Sequence, residues 1–322
     1  MSQFSSSHEE ILLELEVLRI QEVAHNIIEL EFASADGTPL PEWSAGAHFD
    51  LRLKEGLSRQ YSLMRGTINP NNWRIAVLVE EAGRGGSLFI RDNLNKGDLV
   101  SGFGPRNHFP LTAAREYLFL AGGIGITPLL EMIRVAEANS TPWKLNYLGG
   151  SLSTMSYVDF LKNEYGNKVE IFAKSLGQRL DLESAIAALS SGTHVYCCGP
   201  ERLMIAVEDS LVASPERAHV ERFHPKEIVL TEPDKEFTVY CQKSDVELIV
   251  PADESILMAA DFEGIDIPGD CMEGTCGSCE TRVIEGEVDH RDSVLSAQAR
   301  AEGDTMMICI SRAKGNRLVI DL

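Results

Sequence analysis

Three cysteines crowd one short stretch of the sequence, and a fourth follows at a distance. Cys271, Cys276 and Cys279 are spaced C-x4-C-x2-C, and Cys309 comes after 29 intervening residues. Four thiolates at this spacing can hold a [2Fe-2S] cluster. A zinc site is the alternative, but structural zinc sites usually pair two short-spaced couples of ligands. The spacing therefore favours a [2Fe-2S] cluster, which accepts one electron at a time.

A glycine-rich turn earlier in the chain has the composition of a phosphate-binding loop. Residues 122–128 read Gly-Gly-Ile-Gly-Ile-Thr-Pro, after an apolar run and before a helical pattern. Glycines let the backbone approach a diphosphate, and a helix N-terminus carries partial positive charge. A second loop, residues 197–200 (Cys-Cys-Gly-Pro), also joins a strand to a helix. Alone, either loop could be a tight turn without a ligand, but together they indicate dinucleotide binding at the carboxyl edge of a parallel sheet.

Two further motifs in the first third could bind a flavin. Residues 59–63 read Arg-Gln-Tyr-Ser-Leu, and residues 84–87 read Arg-Gly-Gly-Ser before an apolar helical run. Arginine can pair with phosphate, tyrosine can cover an aromatic ring, and serine can bond a ring nitrogen. Taken singly, the first is equally an ordinary strand, and the second a glycine turn with Ser87 as helix N-cap.

The elements around these motifs divide the chain into three blocks. Residues 8–110 alternate apolar and polar positions in short runs, which predicts an antiparallel β-barrel. Residues 111–226 alternate four apolar strands with helical patterns, which predicts an α/β domain with a parallel sheet. After a polar linker over 227–236, residues 237–322 contain short strands and one helix near residues 255–261.

The net charge of −20 argues against a nucleic-acid partner, and half of it lies in Lys235–Leu322, with 18 acidic and 8 basic residues. An acidic face there could steer a basic partner protein. The first residues lack a basic region followed by an apolar run, and no stretch is long and apolar enough to span a bilayer. We therefore expect a cytoplasmic protein in which seven cysteines serve redox or metal chemistry, Cys241 being simply buried.

Taken in order, the R-x-Y-S, G-G-I-G-I-T-P, C-G-P and cysteine motifs resemble the phthalate dioxygenase reductase family over almost the whole chain. These are reductase components of Rieske-type oxygenases. The resemblance implies an FMN-binding barrel, an NADH-binding α/β domain and a C-terminal plant-type ferredoxin domain of the α+β β-grasp class. FAD in place of FMN stays open, because related barrels bind it with a similar motif. The family also implies a monomer.

The resemblance assigns roles to individual positions. Cofactor binding falls to residues of the four loops and one aromatic residue near the end of the second block: Arg59, Tyr61, Ser62, Gly85, Gly86, Ser87, Gly122, Gly123, Gly125, Thr127, Cys198, Gly199, Pro200 and Phe223. The cluster ligands are Cys271, Cys276, Cys279 and Cys309.

Some positions depart from the family pattern. Leu78 stands where family members carry a basic residue, and Arg222 where they carry serine. Residues 149–151, Gly-Gly-Ser, replace a stretch that often contains arginine, so no cation is expected there for a 2′-phosphate, which favours NADH over NADPH. Arg179 could contact adenosine or could be a solvated surface residue.

These features predict a reductase that takes hydride from NADH onto FMN and passes single electrons through the cluster to a partner oxygenase. No general base is required. Two other functions stay open. A self-contained NADH oxidase or monooxygenase would need an oxygen-activating centre, for which the sequence shows no ligand pattern. An iron–sulfur redox sensor would need no nicotinamide site.

Overall fold

The computed structural model describes residues 11–54, 57–226, 228, 233–269 and 271–322. The remaining positions include residues 8–10 of the predicted barrel domain and half of the predicted linker. Within the described chain, no helix combines the length and the apolar character that crossing a membrane would require. Contacts divide the chain into two compact units, residues 1–221 and 222–322.

The first unit begins with a seven-stranded antiparallel sheet in the order β4-β3-β7-β1-β2-β6-β5. Its elements are β1 (Ile11–Ala24), β2 (Ile27–Ser34), β3 (His48–Lys54), β4 (Leu57–Ser62), β5 (Met64–Arg65), β6 (Trp73–Leu78), helix α1 (Gly86–Asn93) and β7 (Leu99–Arg106).

This sheet closes on itself, as its connectivity shows. Strands β4 and β5 lie at opposite edges of the sheet, yet a single residue, Leu63, joins them along the chain. The two edges must therefore meet, which is the defining property of a barrel. Side chains such as Phe32, Phe49 and Trp73 fill the interior with no exposure to solvent. The predicted antiparallel barrel is confirmed.

A fully buried ion pair lies inside this barrel. Arg106 at the end of β7 donates to Asp50 on the neighbouring strand β3, and neither side chain is exposed. Gln60 on β4 donates to the other oxygen of Asp50 at 3.0 Å. Because a buried charge without partners is very costly, these bonds fix the register of three strands near the R-x-Y-S motif.

The first unit continues with a five-stranded parallel sheet in the order β10-β9-β8-β11-β12. Its elements are β8 (Glu116–Gly122), α2 (Thr127–Ala138), β9 (Trp143–Gly149), α3 (Val158–Tyr165), β10 (Val169–Ala173), α4 (Leu182–Ala187), β11 (Thr193–Cys198), α5 (Glu201–Ser210) and β12 (Ala218–Glu221). The parallel α/β architecture is confirmed. Strand β12 was not foreseen, because its four residues lack a continuous apolar run.

The second unit contains a five-stranded mixed sheet in the order β14-β13-β19-β15-β17 and a two-stranded ladder of β16 with β18. Its elements are β13 (Phe237–Cys241), β14 (Val246–Val250), α6 (Ile256–Phe262), β15 (Glu280–Glu285), β16 (Val288–Asp289), α7 (Ala297–Glu302), β17 (Thr305–Met307), β18 (Arg312–Ala313) and β19 (Arg317–Ile320). The sequence predicted only the first of these helices. Ser255 is the N-cap of this helix, α6, and its side-chain oxygen accepts a hydrogen bond from Met258 N.

Within the first unit, polar contacts connect the barrel to the parallel sheet. The Tyr157 hydroxyl, at the start of α3, donates to the buried Glu29 carboxylate on β2 at 2.7 Å. Tyr157 adopts a left-handed backbone conformation with φ of 63°, which is strained for a tyrosine. Arg19 and Arg74 also donate to Glu29. The strained residue persists because its hydroxyl reaches this carboxylate.

Replacing Tyr157 with phenylalanine removes one donor from Glu29 but keeps the ring. We expect the free energy of unfolding to fall by about 1–2 kcal/mol, measured by chemical denaturation. Tyr165→Phe is the matched control, since no hydrogen bond to its hydroxyl is found in the described chain. Equal losses in the two variants would show that the Glu29 contact contributes nothing.

Candidate functional site

The four predicted cluster cysteines lie together in the second unit. Cys271, Cys276 and Cys279 occupy the loop between α6 and β15, and Cys309 follows β17. The Cys271 sulfur contacts those of Cys276 and Cys309, and Cys309 also contacts Cys279. These contacts link all four thiols in one continuous series, although the cysteines are up to 38 residues apart in sequence.

The loop turns its backbone amides towards these sulfurs. Glu273 N and Thr275 N lie 3.4 and 3.5 Å from Cys271 Sγ, and Ser278 N lies 3.3 Å from Cys276 Sγ. The left-handed conformations of Met272, Gly274 and Gly277 make this possible. The hydrogen bond with Cys276, together with the amide donors, lowers the pKa of the Cys271 thiol, so the loop is suited to holding thiolates.

The arrangement provides the ligand set that a two-iron cluster requires. A [2Fe-2S] cluster is held by four thiolates, and the sulfur contacts bring four cysteine thiols together.

The two glycine-containing loops meet at one point of the parallel sheet. Strands β8 and β11 are neighbours, and the chain runs outwards from β8 to β9 and β10 on one side and from β11 to β12 on the other. The strand order therefore reverses between β8 and β11, and the loops that follow them flank this switch point. In open α/β sheets, ligands bind in the crevice at such a point.

Glycine is required where these loops touch. A Cβ atom on Gly125 would lie 2.2 Å from the carbonyl oxygen of Cys198, and one on Gly199 would lie 2.8 Å from the Cα of Gly122. Both contacts are shorter than real Cβ atoms tolerate. Gly122, Gly125 and Gly199 are thus needed for backbone packing, whether or not they also face a ligand.

Thr127 and Pro200 begin the helices that follow these loops. Thr127 is the first residue of α2 and is almost completely buried, and its hydroxyl donates to the carbonyl of Ile124 at 3.0 Å. Pro200 caps the N-terminus of α5. Gly123 has a positive φ, and nothing lies within 4 Å of the place where its Cβ would stand. The structure places these residues at the same sheet edge as Cys198 and Gly199.

Sequence reasoning missed Glu221, which lies beside this crevice. Glu221 ends β12 and pairs in register with Cys198 on β11. Its Oε2 atom is buried and accepts no hydrogen bond from the described residues. Burial raises the pKa of Glu221 to about 8, and burial also raises the pKa of the Cys198 thiol. A lone glutamate in a polar run gives no signal of this in the sequence.

The predicted flavin residues lie on two adjoining elements of the barrel. Arg59, Tyr61 and Ser62 lie on β4. Burial raises the pKa of Tyr61 well above its usual value, and the Ser62 hydroxyl is buried without a hydrogen-bond partner in the described chain. An orphaned hydroxyl at this position fits a ligand that supplies the missing bond.

Helix α1 brings its N-terminus to Arg59. Gly85 is the N-cap residue, in the left-handed conformation, and α1 begins at Gly86. A Cβ on Gly86 would lie 2.6 Å from Cγ of Arg59, so the helix start and the arginine are in direct contact. Ser87 is not the N-cap, which corrects that interpretation; its hydroxyl accepts from Glu80 N at 3.1 Å. A guanidinium beside a helix N-terminus suits a phosphate.

The remaining singled-out residues are placed as follows. Leu78 ends β6 and is about one-third exposed. Gly150 follows β9, and its carbonyl accepts from Ser175 N at 2.9 Å, which brings the exposed Lys174 next to this stretch. Arg179 is exposed, and Phe223, 40% exposed, belongs to the second unit.

Comparison with known proteins covers almost the whole chain. The chain is 40% identical over 315 residues to the phthalate 4,5-dioxygenase oxygenase reductase subunit of Pseudomonas putida, covering 96% of each. The crystal structure of phthalate dioxygenase reductase matches with a TM-score of 0.68 and 35% identity, over 97% of this chain and 98% of that one. This chain belongs to the phthalate dioxygenase reductase family. It is therefore an oxidoreductase of the kind that serves oxygenase systems by electron transfer.

Two further comparisons refine this assignment. Residues 239–314 match the 2Fe-2S iron-sulfur cluster binding domain, and residues 107–214 match the N-terminal domain of DmmA-like dimethylamine monooxygenase subunits. The structure of an intact type IV self-sufficient cytochrome P450 monooxygenase matches with a TM-score of 0.90 and 39% identity. The match covers 97% of this chain but only 41% of the monooxygenase chain.

Replacing Gly125 with alanine should force the two loops of the crevice apart. We expect an unfolding free energy lower by about 1–3 kcal/mol and weaker NADH binding, measured by chemical denaturation and by fluorescence titration. Gly150→Ala is the matched control at the same sheet edge, because its Cβ would meet only Thr154 Oγ1, at 3.7 Å. Equal effects at the two positions would contradict the packing requirement.

The buried carboxyl of Glu221 should make stability depend on pH. In the unfolded chain glutamate ionises near its usual pKa of 4.5, whereas in the folded protein Glu221 stays protonated to about pH 8. The unfolded state therefore loses its proton first, and the free energy of unfolding falls as pH rises between these values, by at most about 1.4 kcal/mol per pH unit.

The Glu221→Gln variant has a neutral side chain at every pH. Its free energy of unfolding should therefore not show this fall, so the difference between variant and unaltered protein should increase as pH rises from 5 to 8. Denaturation at several pH values measures this difference. The exposed Glu170 on β10 provides the control Glu170→Gln, which should keep the original slope. A Glu221→Gln slope equal to the original one would rule out a neutral Glu221.

Proposed function

We propose that this protein is the reductase component of a multicomponent oxygenase, which takes hydride from NADH onto FMN and passes single electrons through a [2Fe-2S] cluster to a partner oxygenase. The observation that carries this proposal is the gathering of four cysteine sulfurs in a chain that also has two glycine loops at the switch point of a parallel sheet. A sensor would not need the second feature.

The residues proposed to hold NADH are those of the two loops. Backbone amides of Gly122, Gly123 and Gly125 lead into the N-terminus of α2, where partial positive charge favours a diphosphate. Thr127, Cys198, Gly199 and Pro200 line the same sheet edge, which is where the nicotinamide would be positioned.

The residues proposed to hold FMN are those of β4 and the start of α1. Arg59 and the N-terminus of α1, with Gly85, Gly86 and Ser87, would bind the phosphate. Tyr61 would cover the isoalloxazine ring, and the orphaned Ser62 hydroxyl would hydrogen-bond its polar edge. The family pattern adds Phe223 as a further cofactor-binding residue.

Bound FMN would accept two electrons as hydride and release them singly, which a cluster that takes one electron requires. Cys271, Cys276, Cys279 and Cys309 would hold that cluster, and the amides of Glu273, Thr275 and Ser278 would stabilise its negative sulfurs. The domain limits proposed are 8–110 for FMN, 111–226 for NADH, 227–236 for the linker and 237–322 for the cluster.

The proposed partner is a Rieske-type oxygenase, the acceptor that the family implies. A haem monooxygenase is a second candidate, because the self-sufficient cytochrome P450 structure contains a region that matches this chain with a TM-score of 0.90. The two candidates share the electron path and differ only in the acceptor. We further propose a monomer in the cytoplasm, where the seven cysteines, none of which forms a disulfide, would stay reduced.

Anaerobic addition of NADH to the purified holoprotein tests the electron path. We expect the visible absorbance of both flavin and cluster to bleach without any organic product. Cys276→Ser should still allow flavin reduction but should abolish reduction of the partner. Cys241→Ala, a buried cysteine outside the loop, is the control and should keep both. Partner reduction by a Cys276→Ser protein that lacks iron would show that the path is wrong.

A further inference from the structure

The negative charge of the ferredoxin region is confined to one stretch of chain. Between Ser244 and Thr281 there are ten aspartates and glutamates and no lysine, arginine or histidine. The rest of Lys235–Leu322 contains eight acidic and eight basic residues and is therefore balanced. The whole net charge of −10 in this region thus comes from the segment that contains α6 and the cysteine loop.

Several of these carboxylates are free to interact with another molecule. Asp261 and Glu263 lie at the C-terminal end of α6, and Asp266 lies in the loop that leads to Cys271. All three are exposed, and none forms an ion pair in the described chain. Since no cation in the same segment neutralises them, their field extends into solvent.

Large apolar side chains stand among these charges. Phe262 is 89% exposed, and Met258, one helical turn earlier on α6, is 50% exposed. Met272, within the cysteine loop, is 43% exposed. An aromatic side chain this exposed gains nothing from the fold of its own domain, which is typical of an interaction surface.

The helix and the cysteine loop adjoin at Gly269. A Cβ on Gly269 would lie 2.4 Å from a methyl of Leu257 on α6 and 3.4 Å from the sulfur of Met272. The cysteine loop therefore packs against α6 at Leu257, which is buried and directly precedes the exposed Met258. We group the exposed residues of this helix and the adjoining loop as the docking face, defined by Met258, Asp261, Phe262, Glu263, Asp266 and Met272.

We propose that the docking face binds the electron-accepting partner, through an apolar patch on that partner ringed by lysine and arginine side chains. This inference rests on the proposed function and adds the surface and its chemistry. Charge complementarity selects the occupant: a second copy of this chain would present the same negative face. The first 234 residues of the chain also carry a net charge of −10, so they offer no overall attraction either.

Electrons leaving at the docking face would have a short route. The face includes Met272, the residue next to Cys271, so a bound partner would lie against the loop that holds the cluster. Opposite charge would speed encounter, and the apolar centre would exclude water once the proteins touch. Association should consequently weaken as ionic strength rises.

Cytochrome c tests the electrostatic part, because it is a basic protein whose haem edge is ringed by lysines. The variant Asp261→Asn/Glu263→Gln/Asp266→Asn removes three charges from the face. Glu285→Gln/Glu287→Gln/Asp304→Asn removes three exposed charges of the same domain outside the acidic segment. At low ionic strength we expect the first to lower kcat/KM for NADH-dependent cytochrome c reduction about tenfold and the second less than twofold.

Phe262→Ala tests the apolar centre, with Ile284→Ala as the control, since Ile284 is an exposed apolar residue on β15. We expect about fivefold lower kcat/KM for Phe262→Ala and no change for the control. In every variant NADH should bleach the flavin and cluster at the original rate, which separates docking from the internal electron path.

Equal loss in the two charge variants would show that net charge rather than the face governs the encounter, and would overturn the proposal. So would full activity of both the charge variant of the face and Phe262→Ala. A cluster that NADH fails to bleach in the unaltered protein would instead overturn the proposed function, and the inference with it.

Discussion

The contact between two backbones at the edge of the parallel sheet constrains the rest of the first unit. The loop after β8 and the loop after β11 approach so closely that positions 122, 125 and 199 have room only for glycine. This approach opens the crevice at the switch point and directs the start of α2 into it. The strand order on either side, and the burial of Glu221 next to Cys198, both follow from placing these two loops together.

Neutral and charged groups are divided between the two units in a way that suits their proposed tasks. Burial keeps Glu221 and Cys198 protonated beside the crevice, so the nicotinamide end of a dinucleotide would meet an uncharged wall. The cysteine loop does the opposite, since the hydrogen bond with Cys276 and the backbone amide donors favour a thiolate at Cys271. Hydride transfer needs positioning without competing charge, whereas a cluster needs anionic ligands.

The sequence predicted those features that are local or periodic. Strand β10 and helix α2 followed from apolar runs and helical spacing, and the cysteine motif predicted the cluster from spacing alone. Features that depend on pairing between distant residues could not be read in this way. Glu29 and Tyr157 are 128 residues apart, and neither has a neighbour that suggests the bond between them. Glu221 became recognisable only once β12 was seen to lie beside β11.

The uneven charge of the ferredoxin region concerns the last step of the proposed electron path, which is transfer to the acceptor. Acidic residues spread evenly over a surface would serve solubility and would not select a direction of approach. Between Ser244 and Thr281 there are ten carboxylates and no cation. The exposed Phe262 lies in this segment, on the helix that the cysteine loop contacts at Gly269. A reductase that must recognise its acceptor without touching the acceptor's substrate needs a surface of this kind, because recognition and electron exit then occur at one place.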